Sequence, residues 1–510
     1  MSKQIINILK ISVFLTLLNV FAKGIGFLRE MVLAYYYGLN VEYDIFLVAT
    51  TLLTILNSTI YYLSQNYFIP LYNRIIVANS NKNDGREFLS FSLFIFFSSS
   101  LLILFFLLLF KEPILGLFIN INDFNKIVLA KNIYTVYVFI VPINAIFSIF
   151  AAYYQAEFKF VRVVISQIIL NLIIVFAVTL FSNKFGIIVI AYATLFATFI
   201  QFILLFYPIK KDIIFDNFLL RMFKEKSSYI SAIIFITLLI EIISLSNSFI
   251  DRLFYQKLSS GSVSALNYAF NVVTLPLNIF AYSVLTVMFS KFSFNIGNNL
   301  LKENEYYLFK NLKFVFMSTI LIAFLFFFHG VVLIKILFER GNFSYSNTIL
   351  TGEILKYYAI GFPFIMGFSI INKLMYSYKM VKSLLIITTI ASIIKIIISY
   401  LAIDYYGVNT LSASTSASYI AIFSIGYLLI IKKLKLPNWM QVVNYICKYF
   451  ILGCFSILIS LHLSGIIFPG KSFFYHITSS IIFSSIYLIV LVIFDKEVRY
   501  YFIKFIRKMI

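Results

Sequence analysis

Long apolar segments recur along the whole chain and constrain its fold more than any other feature. A helix needs about 20 mostly apolar residues to cross a bilayer, and about fourteen segments meet that rule. They lie near residues 7–37, 43–76, 87–110, 127–154, 158–182, 185–208, 227–256, 261–291, 308–337, 347–377, 382–403, 408–431, 440–463 and 473–494. Only 12% of the residues are charged, about half the share in a soluble domain. The sequence therefore predicts an all-α polytopic membrane protein with about fourteen transmembrane helices.

Positively charged residues concentrate at alternate connections between these segments. Arg74 and Arg86 follow the second segment, Lys210 and Lys211 follow the sixth, and Lys432 follows the twelfth. Connections on the opposite side carry few cations. Because cytoplasmic loops are enriched in Lys and Arg, this asymmetry predicts that both termini lie in the cytoplasm. The same rule accounts for the net charge of +21 without a nucleic-acid partner.

The chain also contains an internal repeat. A shift of 223 residues aligns Arg29 with Arg252 and Gly38 with Gly261, and a shift of 221 aligns Gly186 with Gly407. The shift equals six membrane spans, so the second copy crosses the membrane in the same orientation as the first. The two copies are therefore expected to form two six-helix lobes related by an axis along the membrane normal. We predict lobes at residues 1–215 (helices 1–6) and 216–436 (helices 7–12), followed by helices 13 and 14 at 437–495.

The C-terminal residues 496–510 form a basic amphipathic tail. Apolar residues, among them Val498, Phe502 and Phe505, share one helical face, and cations such as Arg499 and Lys504 occupy much of the remainder. This pattern favours a helix that lies on the cytoplasmic membrane surface.

The first apolar segment carries charges where a simple anchor has none. Lys23, Arg29 and Asp44 lie in or beside it, and a charge at bilayer depth costs at least ~2.5–3.5 kcal/mol. Such residues therefore face a protein interior or a water-filled cavity. Glycines accompany them and predict an interrupted helix with hinge points; the predicted hinges are Gly24, Gly26, Gly38 and Gly261.

A second group of charges lies in the seventh segment. Glu241 has apolar neighbours on both sides and is the best candidate for a cation or proton site, with Asp251 as the second. Arg252 and the amide of Asn271 are candidate contacts for an anionic headgroup, because Arg matches phosphate oxygens with a planar, permanently charged fork. The alternative is that Arg29, Asp251 and Arg252 are ordinary charges at helix ends.

The sequence contains no phosphate-binding G-x-x-x-x-G-K-[ST] loop, and its three histidines stand apart. We therefore expect neither a cofactor nor a metal, and a transporter rather than an enzyme. Its energy would come from the membrane potential or from a Na⁺ or H⁺ gradient.

Several motifs carry a family resemblance. Gly26-Phe-Leu-Arg29-Glu30, Tyr37-Gly38, Asp44-Ile-Phe-Leu-Val-Ala49, Ser260-Gly-Ser-Val-Ser-Ala-Leu-Asn-Tyr-Ala269 and Leu337-Phe-Glu-Arg-Gly-Asn-Phe343 resemble the MurJ/MviN-type lipid II flippases. The resemblance extends over nearly the whole chain, and the run from Ser260 to Ala269 is highly specific.

The resemblance implies a member of the multidrug/oligosaccharidyl-lipid/polysaccharide exporter superfamily in the bacterial inner membrane. Its two lobes would enclose a cationic cavity, and helices 13 and 14 would form a groove for a lipid tail. The substrate would be an undecaprenyl-pyrophosphate-linked sugar. The other expected partners are membrane lipids, and we expect the protein to be a monomer. By motif position, Lys23 stands where the family has a first-helix Arg, Arg29 where it has the second, and Asp44 where it has an acidic residue.

The sequence departs from the family at charged positions. Phe270-Asn271 replaces the usual Asn-Arg, and Asn57, Ser58 and Tyr62 replace a basic pair and a later Glu. Our hypothesis is a flippase that moves lipid II outward by alternating access, with another polyprenyl-linked unit such as an O-antigen or capsule repeat as the alternative cargo. A drug exporter, a membrane scaffold and a lipid-using polymerase are less well supported alternatives.

Overall fold

The structure is a computed structural model that describes residues 2–79, 82–120, 122–213, 232–280, 292, 301–436, 440–468 and 473–509. In these ranges the regular structure is helical, with two short 3-10 turns at Lys210–Asp212 and Tyr255–Lys257. The helices are α1 (Ser2–Tyr37), α2 (Val41–Asn79), α3 (Lys82–Leu109), α4 (Lys111–Gly116), α5 (Phe124–Tyr137), α6 (Ile140–Ala156), α7 (Phe160–Phe185), α8 (Ile188–Ile209), α9 (Ala232–Leu253), α10 (Ser262–Phe280), α11 (Leu301–Phe338), α12 (Tyr345–Ser377), α13 (Val381–Tyr406), α14 (Asn409–Leu434), α15 (Met440–Ile467), α16 (Phe473–Phe494) and α17 (Lys496–Met509). The predicted all-α class is confirmed.

Eleven helical stretches in the described part are long and apolar enough to cross a membrane. They account for all the predicted segments except those near 7–37, 227–256 and 261–291, which correspond to α1, α9 and α10. The multi-pass prediction is confirmed, and the count of fourteen stays a prediction.

The first compact unit comprises Met1–Tyr268, Arg340–Ser344 and Val381–Ser392. In it α2 packs against α6, and α1 packs along α7. Its core contains stacked aromatic rings, such as those of Phe68 and Phe88, whose centroids are 5.3 Å apart. The predicted lobe boundary at residues 215 and 216 lies outside the described residues.

The second compact unit comprises Ala269–Glu339, Tyr345–Met380 and Ile393–Ile510. Small residues let its helices approach closely. A Cβ atom added to Gly361 of α12 would meet the Ser416 Cα of α14 at 2.6 Å. The Ser416 hydroxyl also donates to the Tyr357 carbonyl oxygen at 2.6 Å, so close packing and hydrogen bonding both join α12 to α14.

The repeat is visible in the local conformation of the chain. α7 and α13 both contain 26 residues and start 221 positions apart. Each ends at a glycine with positive φ, Gly186 at 63° and Gly407 at 57°. Equivalent helix ends therefore have equivalent glycine caps, as the 221-residue shift predicts.

One expectation for the first helix is wrong. α1 runs through Gly24 and Gly26 without interruption, because backbone groups in a bilayer must stay hydrogen-bonded and a helix meets that need. The break comes at Gly38, whose N–H donates to the Ala34 carbonyl at 2.8 Å and whose φ is 56°. This is a left-handed glycine that ends the helix.

Candidate functional site

Arg29 lies on α1 and forms an ion pair with its neighbour Glu30. The Arg29 Nη2 atom is 2.6 Å from Glu30 Oε1, and Arg29 Nε donates to the same oxygen at 3.2 Å. The Arg29 side chain keeps 31% of its surface exposed, against 11% for Glu30. The second oxygen of Glu30 accepts from Asn267 Nδ2 on α10 at 3.5 Å. Glu30 thus connects α1 to α10 and leaves part of the guanidinium accessible.

Asp44, near the start of α2, caps the start of α10. Its fully buried carboxylate accepts the backbone N–H of Gly261 at 2.7 Å, the N–H of Ser264 at 2.7 Å and the Ser264 hydroxyl at 2.5 Å. Free N–H groups and the helix dipole make a helix N-terminus favourable for a carboxylate. Asp44 therefore fastens two helices together, and its oxygens already have partners.

Gly261 permits this junction in two ways. Its φ of 82° lies in the left-handed region, which side-chain-bearing residues rarely adopt. A Cβ atom there would lie 2.8 Å from Leu39 Cβ and 3.0 Å from the Leu39 carbonyl oxygen. The position accepts only glycine without rearrangement, because the chain after α1 passes directly against it.

The connection at residues 340–344 completes the same end of the first unit. The Asn342 N–H donates to the Tyr35 carbonyl at 2.8 Å, and the Asn342 side chain donates to the Tyr36 carbonyl at 2.5 Å. These are carbonyls from the last turn of α1, which have no partner within the helix. A Cβ atom on Gly341 would lie 2.5 Å from the Tyr35 oxygen. We call the combined contacts of Tyr35, Asp44, Gly261, Ser264 and Asn342 the fastened end.

Lys23 and two of the predicted hinges lie away from the fastened end. The Lys23 side chain is exposed and lies 14 residues before Tyr37, which is roughly 21 Å along α1. A Cβ atom added to Gly24 would meet no neighbouring atom within 4 Å, and one added to Gly26 would lie 3.9 Å from the side-chain amide of Asn171 on α7. The two predicted anion contacts on α1, Lys23 and Arg29, therefore both lie on the N-terminal side of the two helical turns that lead to the fastened end.

The charged residues of the seventh segment differ in their surroundings. Asp251 and Arg252 are buried at the end of α9, in the unit that contains Asp44. Glu241 is partly exposed near the middle of that helix. α9 packs against α2, so Asp251 and Arg252 belong to the packed interior rather than to a solvated helix end.

Asn271, the predicted headgroup contact, lies in the second unit, where its carbonyl accepts from the Thr274 hydroxyl at 3.0 Å. The amide that contacts Glu30 belongs to Asn267.

Lys395 of α13 was not among the predicted site residues. It is fully buried, and a cation inside the apolar run Ile-Ile-Lys-Ile-Ile is a signal that the sequence offers. A buried charge in a spanning helix is a default candidate for function.

A comparison with protein families decides the identity. The family model described as "Lipid II flippase MurJ" matches residues 33–488, a range that includes the fastened end, Arg252 and Lys395. The chain belongs to the MurJ family. MurJ proteins are transporters and not enzymes.

Curated MurJ relatives have similar lengths. The "Probable lipid II flippase MurJ" of Borreliella burgdorferi is 26% identical over 426 residues, which cover 81% of each chain. The "Lipid II flippase MurJ" of Thermosipho africanus is 30% identical over 178 residues, 35% of this chain and 36% of the relative.

Solved structures agree on the fold. A "Lipid II flippase MurJ, inward closed conformation" aligns with a TM-score of 0.77 and 24% identity, covering 95% of this chain and 99% of that one. An inward-facing MATE multidrug transporter of the MOP superfamily aligns with a TM-score of 0.65 and 14% identity over 83% of this chain and 96% of that one. The exporter-superfamily fold predicted from the motifs is confirmed.

Proposed function

We propose that this protein moves lipid II, the undecaprenyl-pyrophosphate-linked peptidoglycan precursor, from the inner to the outer leaflet of the cytoplasmic membrane. The match to the MurJ family model over residues 33–488 carries this conclusion. The partly exposed Arg29 guanidinium and the exposed Lys23 ammonium suit the substrate, because both bind phosphate oxygens. Their positions on α1 support a direct role in holding the pyrophosphate.

The transport cycle is alternating access, with the fastened end as one of its two gates. Its contacts are hydrogen bonds between helix ends, which can break and re-form as a group when the substrate shifts the balance between two conformations. Asp44 is then a gate residue rather than a headgroup contact, since its oxygens are occupied by Gly261 and Ser264.

The driving force is the membrane potential or a Na⁺ or H⁺ gradient. Moving one charge across the membrane contributes ~2.3 kcal/mol per 100 mV, and Glu241 and Asp251 are the proposed ion or proton sites. Flipping should slow when cells are depolarised or when the coupling gradient is collapsed. Undiminished flipping after both treatments would rule out this coupling.

Both termini of the protein lie in the cytoplasm, an orientation that the distribution of Lys and Arg supports. The protein works as a monomer. Orientation can be measured by reacting single cysteines with a membrane-impermeant reagent in intact cells. A cysteine at position 257 should react from outside, and one at position 432 only after the cells are opened.

Complementation tests the cargo. A cell depleted of its own lipid II flippase should grow when this chain is expressed, and it should fail to grow with the double variant Lys23→Ala/Arg29→Ala at equal membrane abundance. The matched control is Lys432→Gln/Lys433→Gln, which removes two exposed cations at the end of α14 and should support growth. Failure of the unaltered chain at normal abundance would contradict lipid II as the cargo.

The second candidate cargo is another polyprenyl-linked oligosaccharide. The observation that favours it is Phe270-Asn271, which puts an aromatic ring and an amide where relatives have Asn-Arg; the Phe270 ring lies 5.6 Å from that of Tyr358. Purified protein offered lipid II and an undecaprenyl-pyrophosphate-linked O-antigen unit at equal concentration should retain mainly lipid II. Preferential retention of the O-antigen unit would show that this second cargo, rather than lipid II, is the substrate.

A further inference from the structure

A polar cavity of about 300 Å³ lies beside the fastened end, within the first compact unit. It is lined by the first residue of α2, by the connection from α4 to α5 and by the connection from α9 to α10. Val41 of this lining lies three residues before Asp44, and Ser260 directly precedes Gly261. The cavity is therefore lined by both segments that the hydrogen bond from Gly261 to Asp44 joins.

Hydrogen-bonded turns hold the two connections in shape. Before α5, the Asn122 N–H donates to Asn120 Oδ1 at 3.1 Å, so the side-chain amide NH2 of Asn120 is the donor that this residue can offer a ligand. After α9, the Leu258 N–H donates to the Tyr255 carbonyl at 3.1 Å, which closes the turn that carries Gln256. Local backbone contacts thus fix where these side chains begin.

The charged groups of the described lining cancel one another. Asp123 caps α5 by accepting the Lys126 N–H at 3.4 Å, and the Lys126 Nζ atom lies 2.7 Å from Asp123 Oδ2. The hydrogen bond from the Lys126 ammonium holds the pKa of Asp123 below its usual range, so both partners are ionised at neutral pH. A lining with one charge of each sign gives neither a phosphate nor a metal ion a net Coulombic attraction.

The other polar groups of the lining are neutral. Asn120 and Gln256 carry amides and Ser260 carries a hydroxyl, and all three residues are exposed. Amides and hydroxyls can both donate and accept hydrogen bonds. Ile119 and Leu258 add apolar surface to the same cavity. This combination matches a sugar ring, which carries hydroxyls around its edge and C–H groups on its faces.

We propose that this cavity binds one sugar unit of the headgroup of the transported lipid, on the extracytoplasmic face of the membrane. The assignment rests on the proposed function, which delivers a sugar headgroup to that face. Asn120 and Gln256 exchange hydrogen bonds with the sugar hydroxyls, and Leu258 contacts the C–H face of the ring. The volume lies at the lower end of the roughly 300–1,000 Å³ of ligand cavities, so it suits a single sugar unit rather than a whole headgroup.

A sugar in this cavity stabilises the closed fastened end. It contacts groups next to Asp44 and groups next to Gly261, so it binds best when these two segments lie together. A ligand shifts an equilibrium towards the conformation that it binds better. The delivered headgroup therefore favours closure of the gate behind it, and closure prepares the transporter for the next cycle.

Protection of a cysteine inside the cavity tests this site. The purified full-length chain carries Ser260→Cys, which nearly keeps the size of the side chain, in a background with Cys447 and Cys454 replaced by serine. The rate of its reaction with a maleimide is measured with increasing concentrations of N,N′-diacetylchitobiose, a neutral disaccharide. The disaccharide should slow the reaction, and lipid II should do the same.

A double variant links protection to the amides. Asn120→Ala/Gln256→Ala should raise the disaccharide concentration for half protection by roughly tenfold or more, because each neutral hydrogen bond contributes a factor of about five. Gln256→Asn keeps an amide and should retain part of the protection. The matched control Asn183→Ala removes an exposed amide near the end of α7 and should leave the half-protecting concentration unchanged. Equal labelling rates without ligand show that each variant keeps the cavity folded.

Other ligands decide between the alternatives. Equal protection by glycerol, or protection by dialanine or inorganic phosphate but not by the disaccharide, would overturn the proposal. Protection by the disaccharide but not by lipid II would indicate a site for free glycan and would overturn the assignment to the cargo. The proposed function fails separately, when the unaltered chain does not support growth of flippase-depleted cells; growth without any protection of the cysteine would overturn the cavity assignment alone.

Discussion

The Asp44 carboxylate on α2 accepts both the backbone N–H and the hydroxyl of Ser264, 220 residues later on α10. One acid therefore ends up as the capping group of a helix that it does not belong to. Because charged hydrogen bonds are about twice as strong as neutral ones and this one is shielded from water, the contact contributes more than an ordinary cap. It makes the start of α10 dependent on the position of α2.

Asp44→Ala should open the fastened end. The change removes three accepted hydrogen bonds at a buried site, and we expect it to cost roughly 2–4 kcal/mol of the closed conformation. A cysteine at position 267, in a background with Cys447 and Cys454 replaced by serine, should react faster with a thiol reagent in the variant. Thr50→Ala is the control, because the Thr50 hydroxyl bonds only within α2, to the Phe46 carbonyl. An unchanged labelling rate in Asp44→Ala would contradict the gate role.

Gly261→Ala should destabilise the protein, whereas Gly24→Ala should not. Alanine at 261 meets a left-handed backbone and the Leu39 atoms, which costs about 1–2 kcal/mol for the backbone alone. Alanine at 24 meets no atom within 4 Å and favours the helix by roughly 0.8–1 kcal/mol. The thermal unfolding temperature of each variant in detergent measures these two changes in stability. If Gly24 is nevertheless a hinge during transport, Gly24→Ala will slow flipping while raising the unfolding temperature.

The predictions that succeeded rest on patterns that repeat along the chain. Spans follow from apolar length, and the equivalence of Gly186 and Gly407 follows from the 221-residue shift. The roles of contacts between distant residues do not follow in that way. Asn342 bonds the end of α1 across more than 300 positions, and no periodicity in the sequence indicates such a partner.

One misjudgement has a physical cause. Gly24 and Gly26 suggested a broken helix, but a bilayer penalises unpaired backbone groups more than glycine weakens a helix. The substrate contact of Asp44, which the family resemblance implies, stays a prediction; in this structure its carboxylate accepts the N–H groups of Gly261 and Ser264. The placement of charges within apolar segments identified Arg29 and Asp44, but their hydrogen-bond partners follow from tertiary contacts that the sequence does not show.

Arg29→Ala should impair transport more than Arg29→Lys. Alanine removes the partly exposed guanidinium and leaves Glu30 without its 2.6 Å partner, while lysine keeps a point charge and loses the fork. The rate of flipping in proteoliposomes, compared at equal protein content, should be highest for the unaltered protein, lower for Arg29→Lys and lowest for Arg29→Ala. Equal activity of the alanine variant would show that Arg29 is only a partner of Glu30.

Lys395→Ala should abolish support of growth in a cell depleted of its lipid II flippase. Lys395 is fully buried in a membrane-spanning helix, where a cation persists against a cost of at least ~2.5–3.5 kcal/mol. Lys395→Arg keeps the charge and should retain part of the activity. Lys433→Gln, which removes an exposed lysine, serves as the control. Full growth with Lys395→Ala at equal abundance would remove Lys395 from the functional residues.

The attachment of α17 should withstand acid. Burial alone would raise the pKa of Asp495, but the hydrogen bonds from Lys313, Lys448 and Tyr449 outweigh it and hold that pKa well below its usual range. A carboxylate with a lowered folded-state pKa contributes stability that is fully present above its unfolded pKa, near 3.9, and is lost only as the pH falls through the lower folded value. A spin label at position 503 should therefore show the same mobility at pH 7 and pH 5. Asp495→Asn should raise that mobility at both pH values, because Lys313 and Lys448 lose the charge that draws them together; loosening of the unaltered helix between pH 7 and pH 5 would contradict the ionised junction.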